Sequence, residues 1–357
     1  MYKEKTIIGI THGDYNGIGY EVILKALADN RLYEDFTPVI YGSAKAVAYY
    51  KKDIDAQGLN FNVIQSIRDV HHKRINLINC IPEDVKFEPG VSTVEAGKAA
   101  VAALERAVED LKAGALHAIV TAPINKENVQ AETFAFPGHT EFLEKHFRKE
   151  GTSALMLLVS NSLRVAVATG HLPLKNVAEK ITTELIVSKL QLLNKTLIQD
   201  FRIPKPRIAV LGLNPHAGDG GIIGKEEKDI IIPAMKEAER KGVLCFGTYA
   251  ADGFFGSETY KKFDGVLAMY HDQGLIPFKT LSMDSGVNFT AGLPVVRTSP
   301  DHGTAYNIAG KNLANEDSLR QAVYLALDVL ANRRFYAEIT ENPLKSEARV
   351  EKGGKIE

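Results

Sequence analysis

Cysteine is scarce and scattered. Cys80 and Cys245 are the only two in 357 residues, with neither a CxxC pair nor a zinc-ribbon spacing. That argues against a disulfide framework and a thiolate metal site, and it suits a reducing compartment. Charge of one sign is lacking too: 43 basic and 44 acidic residues leave a formal net charge of −1. No global field draws nucleic acid or an anionic membrane, so an anionic small molecule has to be caught by a few local cations. Long apolar runs are missing. The stretch in "MYKEKTIIGITHGD" is six residues interrupted by Gly and Thr, too short for a signal h-region or a membrane span. A cytoplasmic protein is expected.

The familiar nucleotide and metal signatures are absent as well. In "GDGGIIGKEE", Asp219 stands where a phosphate loop needs its first glycine and Glu226 where it needs a hydroxyl. "GDYNGIGYE" is not GxGxxG, so any dinucleotide is not held in the Rossmann manner, and there is no HExxH. No tandem repeat, low-complexity tract or Pro/Ser-rich linker divides the chain. Two domains, if present, are interleaved rather than strung in series.

What is present is alternation. The β-rich runs "TIIGIT", "TPVIYG", "NLINC", "HAIVTA", "LRVAVAT", "RIAVLGL", "GVLAMY" and "PVVRT" are separated by stretches of helical period. One such helix starts at Ser92 with Glu95 as a capping box, lays Val94, Val101, Leu104, Val108 and Leu111 on one face, and stops at Gly114. Others are expected over 184–199, 225–241 and 316–332. Continuously apolar strands alternating with helices predict an α/β fold with a buried sheet. The last dozen residues, charged and without apolar period, read as a frayed tail.

The ten histidines sort by context. His71, His72 and His146 sit in charged surface sequence, and His117 opens a strand. His12, His139, His171, His216, His271 and His302 fall in turns at or just after β-like runs. In an α/β sheet the loops leaving the strands gather along one edge, so His171, His216 and His271 are candidates to meet there. A histidine in a Gly/Pro turn is more often a hydrogen-bonded loop residue than a ligand, so the pattern suggests a site without establishing it. Lys126, Lys279 and Arg297 are candidate anion-binding cations. Arg297 is the best placed, directly after an apolar strand and able to fork onto phosphate or carboxylate.

Read together, "PGHTEFL" (137–143), "ATGHLPL" (168–174), "GLNPHAGDGGIIGKEE" (212–227), "AMYHDQGLIPFK" (268–279) and "GVNFTAGLPVVRTSPDHGTAYNIAG" (286–310) closely resemble the 4-hydroxythreonine-4-phosphate dehydrogenases of pyridoxal 5′-phosphate biosynthesis. The resemblance spans roughly residues 5–332. It implies an isocitrate/isopropylmalate dehydrogenase-like fold of two interleaved α/β domains around a cleft, residues 1–125 with 290–357 forming one and 126–289 the other. It implies a homodimer whose metal site is shared between subunits, with His171, His216 and His271 as ligands and His271 supplied by the neighbour. Zn²⁺ is the first expectation for the metal, with Mg²⁺ or Co²⁺ as alternatives.

The same resemblance places substrate contacts on His139, Thr140, Lys279, Asn288 and Arg297, and an active-site aspartate at Asp252. His139, Asp252 and a metal-bound water are candidates for the general base, and Asp301 and His302 for contacts to NAD⁺ or NADP⁺. The implied reaction is metal-assisted oxidation of 4-phosphooxy-L-threonine at C3 with loss of CO₂. Tyr15, Asn16 and Tyr20 replace the family's Pro, Ala and Pro, and Asp219 its Glu, which leaves dehydrogenases of D-threonate or D-erythronate 4-phosphate as the alternative. Phosphotransacetylases share the general fold but need no three-histidine metal centre.

Overall fold

The computed structural model describes residues 5–342 apart from 53, 55–57, 83, 131–135, 137 and 149–152. The tail expected to fray, and Pro137 of the first motif, lie outside the described residues. Among the described residues, twelve strands form one sheet. In chain order they are β1 (Thr6–Thr11), β2 (Phe36–Gly42), β3 (Phe61–Ile64), β4 (Ile75–Asn79), β5 (Ala118–Thr121), β6 (Leu155–Val159), β7 (Arg164–Val167), β8 (Arg207–Leu211), β9 (Leu244–Tyr249), β10 (Gly265–Ala268), β11 (Val287–Ala291) and β12 (Val296–Pro300). Their spatial order is β3-β4-β2-β1-β5-β12-β11-β6-β7-β10-β8-β9.

The pairing has a simple logic. From β3 to β12 every neighbour is parallel, and so is every neighbour from β7 to β9. Between these blocks, β11 and β6 run antiparallel to their neighbours, so strand direction reverses at mid-sheet. Parallel strands need crossovers, and helices on both faces bury them. Accordingly all seven residues of β2 and all four of β5 and β10 are buried. The edge strand β9 instead exposes Leu244 and Phe246. Among the described residues, no helix is long and apolar enough to cross a membrane.

The helix read from Ser92 runs Val94–Lys112, capped by Thr93, whose hydroxyl accepts from the Ala96 N–H. Val101, Leu104, Val108 and Leu111 are buried as their spacing requires, whereas Val94, in the first turn, is exposed. The other expected helices are Thr183–Gln199, Ile232–Arg240 preceded by a π-turn at Glu227–Ile231, and Asp317–Glu341.

The turn "GDYNGIGYE" is packed into the core. A Cβ on Gly19 would lie 2.1 Å from the His12 carbonyl oxygen, and Gly13, at φ +69, would put one 2.2 Å from that of Pro123. Glycine is what lets this turn close onto the end of β1. The three departures from the family pattern serve the same packing. Tyr20 stacks between His12 and Tyr50 at centroid distances of 5.2 and 5.6 Å. Tyr15 meets Phe87 edge-on, and Asn16 donates to Thr93 Oγ1 while its Oδ1 accepts from the Glu88 N–H.

His12 is therefore a core histidine. Burial pulls its imidazole from 6.5 down to about 4. The unfolded chain takes up a proton below pH 6.5 that the folded chain refuses until about 4, so stability is present above that window and lost as the pH falls through it. The shift corresponds to roughly 3 kcal/mol. His12→Phe keeps the ring stack but not the titration. Denaturant melts should show parent and variant converging in pH dependence above 6.5 and diverging below it. Identical acid slopes would refute the assignment.

Candidate active site

A cleft of about 290 Å³ opens over the sheet where strand direction reverses. The period of two explains which side chains reach it. Register sets Asn288 opposite Ser299, Thr290 opposite Met156, and Arg297 opposite Ile119, with Thr121 two residues further on the same face. Loops and helix starts complete the walls. Lys126 follows β5, and His139, Thr140 and Glu141 open the helix His139–Phe147. His171 follows β7, and His271 and Lys279 lie on the helix His271–Ser282 after β10. Asp301 and His302 follow β12.

Arg297 is the electrostatic centre. It is buried, and its guanidinium donates to Thr121 Oγ1 at 2.7 and 3.1 Å and to Thr290 Oγ1 at 3.1 Å. Among the described residues no carboxylate forms an ion pair with it. Burial pulls it down to about 10, only partly offset by Glu141. An arginine held by hydroxyls alone retains cationic field for an anion. The same burial, reinforced by Arg297 and Lys126, keeps His139 neutral. Asp301 moves the other way, raised to about 6 by burial against the pull of Lys279, whose Nζ donates to the Asp301 carbonyl at 3.0 Å.

Several buried polar atoms on this cleft have no hydrogen-bond partner among the described residues: His139 Nε2, Glu141 Oε2, Asn288 Oδ1, Asp301 Oδ2 and His302 Nε2. Buried polar groups without partners are costly, and their convergence marks a surface built for a polar ligand.

Two of the three expected metal ligands meet here. The His171 and His271 rings lie 5.6 Å apart. His271 Nδ1 is 2.7 Å from Asp272 Oδ1, and His171 Nδ1 is 3.6 Å from Glu141 Oε1. Both carboxylates favour the proton on Nδ1 and so leave Nε2 as a lone pair, the tautomer that binds metals. The Lys126 ammonium sits 3.0 Å from His171 Nε2, placed to donate to that atom when it carries the lone pair. In donor chemistry and tautomer the pair fits a divalent metal.

The third expected ligand is elsewhere. His216 is exposed, does not line the cleft, and among the described residues no group of three His, Cys, Asp or Glu side chains could hold a metal. Within one chain, then, His271 stands beside His171 on the cleft, and His216 is the residue apart. It sits in a left-handed turn, with φ of 53, 52, 80, 44 and 67 at His216, Ala217, Gly218, Asp219 and Gly220. Three of these are not glycine, a strain of about 3–6 kcal/mol. Asp252 is also exposed and outside the cleft, on a helix, Ala251–Gly256, that contacts this turn.

Of the other expected residues, the cleft gathers His139, Thr140, Lys279, Asn288 and Arg297, and with them Asp301 and His302. Sequence reasoning missed Thr121, Thr290, Glu141 and Asp272. Glu141 and Asp272 had a signal, being carboxylates within the histidine motifs "HTE" and "HD". The two threonines had none, since only strand register brings them to Arg297.

Residues 34–326 match the family model described as pyridoxal phosphate biosynthetic protein PdxA. The chain is 55% identical over 347 residues to a 4-hydroxythreonine-4-phosphate dehydrogenase of Bacteroides thetaiotaomicron, covering 97% of this chain and 95% of that one. A relative from Oceanobacillus iheyensis, named for D-threonate 4-phosphate, is 39% identical and covers 92% of this chain and 98% of its own. The crystal structure of a 4-hydroxythreonine-4-phosphate dehydrogenase from Klebsiella pneumoniae superposes with a TM-score of 0.78 at 34% identity, covering 92% of this chain and 99% of that one.

Proposed function

The chain belongs to the family of pyridoxal phosphate biosynthetic protein PdxA, and from that premise we propose that it oxidises 4-phosphooxy-L-threonine at C3. Hydride leaves to NAD⁺ or NADP⁺, a proton leaves to a base, and the β-keto acid loses CO₂ to give 3-amino-2-oxopropyl phosphate. The observation that carries this reading is the buried Arg297, held by hydroxyls alone and facing the same cleft as the paired His171 and His271.

Arg297 and Lys279 bind the anionic groups of the substrate. His139, kept neutral, and Thr140 orient it by hydrogen bonds. His171 and His271 hold a divalent cation, Zn²⁺ by the softness of imidazole, with His216 completing the set from a second copy of the chain and bringing Asp252 toward the same cleft. When bound, the cation supplies Lewis-acid activation of the alcohol, and the nicotinamide is the hydride acceptor. Asp301 and His302 sit at the cofactor side of the cleft. The division into residues 1–125 with those from 290 on, against 126–289, is proposed on the reversal of strand direction at β11.

Asp301 is the better proton acceptor. A base works best near the ambient pH; Asp301 sits at about 6, while His139 is pushed well below its usual value. Asp301 is charged above about 6 and protonated below, so kcat/KM falls as the pH drops through that value. Asp301→Asn should lower kcat by about 10²-fold and remove this acid limb. A variant that keeps the limb would transfer the role to another group.

Among the described residues, Glu141 Oε2 and Asn288 Oδ1 are unmatched acceptors. They favour a substrate ammonium, with three donors, over a hydroxyl with one. Initial rates decide between the 2-amino acid and the threonate or erythronate phosphates. At least about tenfold higher kcat/KM on the amino substrate is expected. The reverse order would reassign the substrate.

A further inference from the structure

Glu227 is a buried carboxylate with no ion pair among the described residues, and all the hydrogen bonds it accepts serve one loop. Its Oε1 accepts from the Leu213 and Asn214 N–H groups, both at 2.7 Å, and its Oε2 from Asn214 Nδ2 at 3.0 Å. Glu226 Oε2 accepts from the same Nδ2 at 2.7 Å. Gly218, in the middle of the left-handed turn, comes so close that a Cβ there would lie 2.5 Å from Glu227 Oε2. One carboxylate thus touches the residues that enter the His216 turn and the residue at its centre.

We propose that Glu227 is a positioning residue for His216, latching a strained turn in the one conformation that presents the imidazole outward. The role rests on the reading of His216 as a metal ligand supplied to a second copy. Without the latch, His216, Ala217 and Asp219 relax toward right-handed backbone and the ring loses its aim. Groups that orient a ligand without touching the metal commonly change affinity by about 10- to 100-fold.

The test uses the purified full-length protein and Zn²⁺ competition with a chromophoric chelator, in the parent and in His216→Ala. Glu227→Ala should weaken Zn²⁺ binding by about 10- to 100-fold and shift the visible absorption of the Co²⁺-loaded protein. Glu227→Gln, which keeps a carbonyl oxygen for the Leu213 and Asn214 N–H groups, should recover most but not all of that affinity. Neither change should have any effect on Zn²⁺ affinity in the His216→Ala background. If Glu227→Ala gives no folded protein, Glu227→Gln and Gly218→Ala carry the same comparison.

Folded variants with parental Zn²⁺ affinity, or an equal loss with and without His216, would overturn the role and make Glu227 a structural residue only. A parent that binds no Zn²⁺, or an undiminished His216→Ala, would instead defeat the metal reading and take this role with it.

Discussion

Replacing Arg297 with methionine should leave the protein as stable as its parent, or more so, and nearly inactive. The two effects separate because the residue stabilises the ligand rather than the fold. Holding its charge in the core costs about 3 kcal/mol, judged from the fall from 12.5 to about 10. An apolar chain of similar volume relieves that cost, minus whatever Thr121 and Thr290 lose as acceptors. The substrate loses its one fully desolvated cation, a change of 3–5 kcal/mol, so kcat/KM should fall by roughly 10³-fold. Lys279, half-exposed, cannot substitute, since solvent screens it. A fall in activity below about tenfold, or a loss of stability as large as the loss of transition-state binding, would remove Arg297 from the substrate site.

The second large effect is expected at the imidazoles. His171→Ala, His271→Ala and His216→Ala should each weaken the metal site to residual two-histidine binding, so that the purified protein loses its metal, and lower turnover by about 10⁴-fold or more while the chain stays folded. The fold is insulated because all three rings lie outside the apolar core: His171 and His216 are exposed and His271 partly so. Asp272→Asn should act more gently than His271→Ala, since it weakens the hold on Nδ1 without removing a ligand. A metal-free His216→Ala protein with parental turnover would contradict the scheme.

How much of this could be read in the sequence varied by element. Strands such as "TPVIYG" and "GVLAMY" were legible because β-branched, continuously apolar runs suit a sheet covered on both faces. "LMLLV" at β6 was not, because Leu and Met are helix formers and only pairing with β11 and β7 makes them a strand. "VNFTA" at β11 hides for a related reason: Asn288 faces the cleft and the buried Thr290 accepts from Arg297, which breaks the apolar run. The cations and histidines of the cleft were visible in motifs, yet the partners that tune them were set by register and invisible. Nor did spacing foretell the fate of His216. It leaves β8 beside β10, as an adjacent-strand argument requires, but a left-handed turn carries its ring away from His171 and His271. His12 follows the opposite course, a histidine at a strand end whose neighbours Tyr15 and Tyr20 enclose it.

The proposed assembly of a metal site across the two chains of a homodimer is tested most directly by mixing inactive variants. Co-expressed His171→Ala and His216→Ala chains should recover about a quarter of parental activity, because half the dimers are mixed and each has one intact site of two. His171→Ala with His271→Ala should recover none, since both defects fall in the pair donated by a single chain. Recovery in the second mixture and silence in the first would place His271 across the interface and contradict the proposed arrangement.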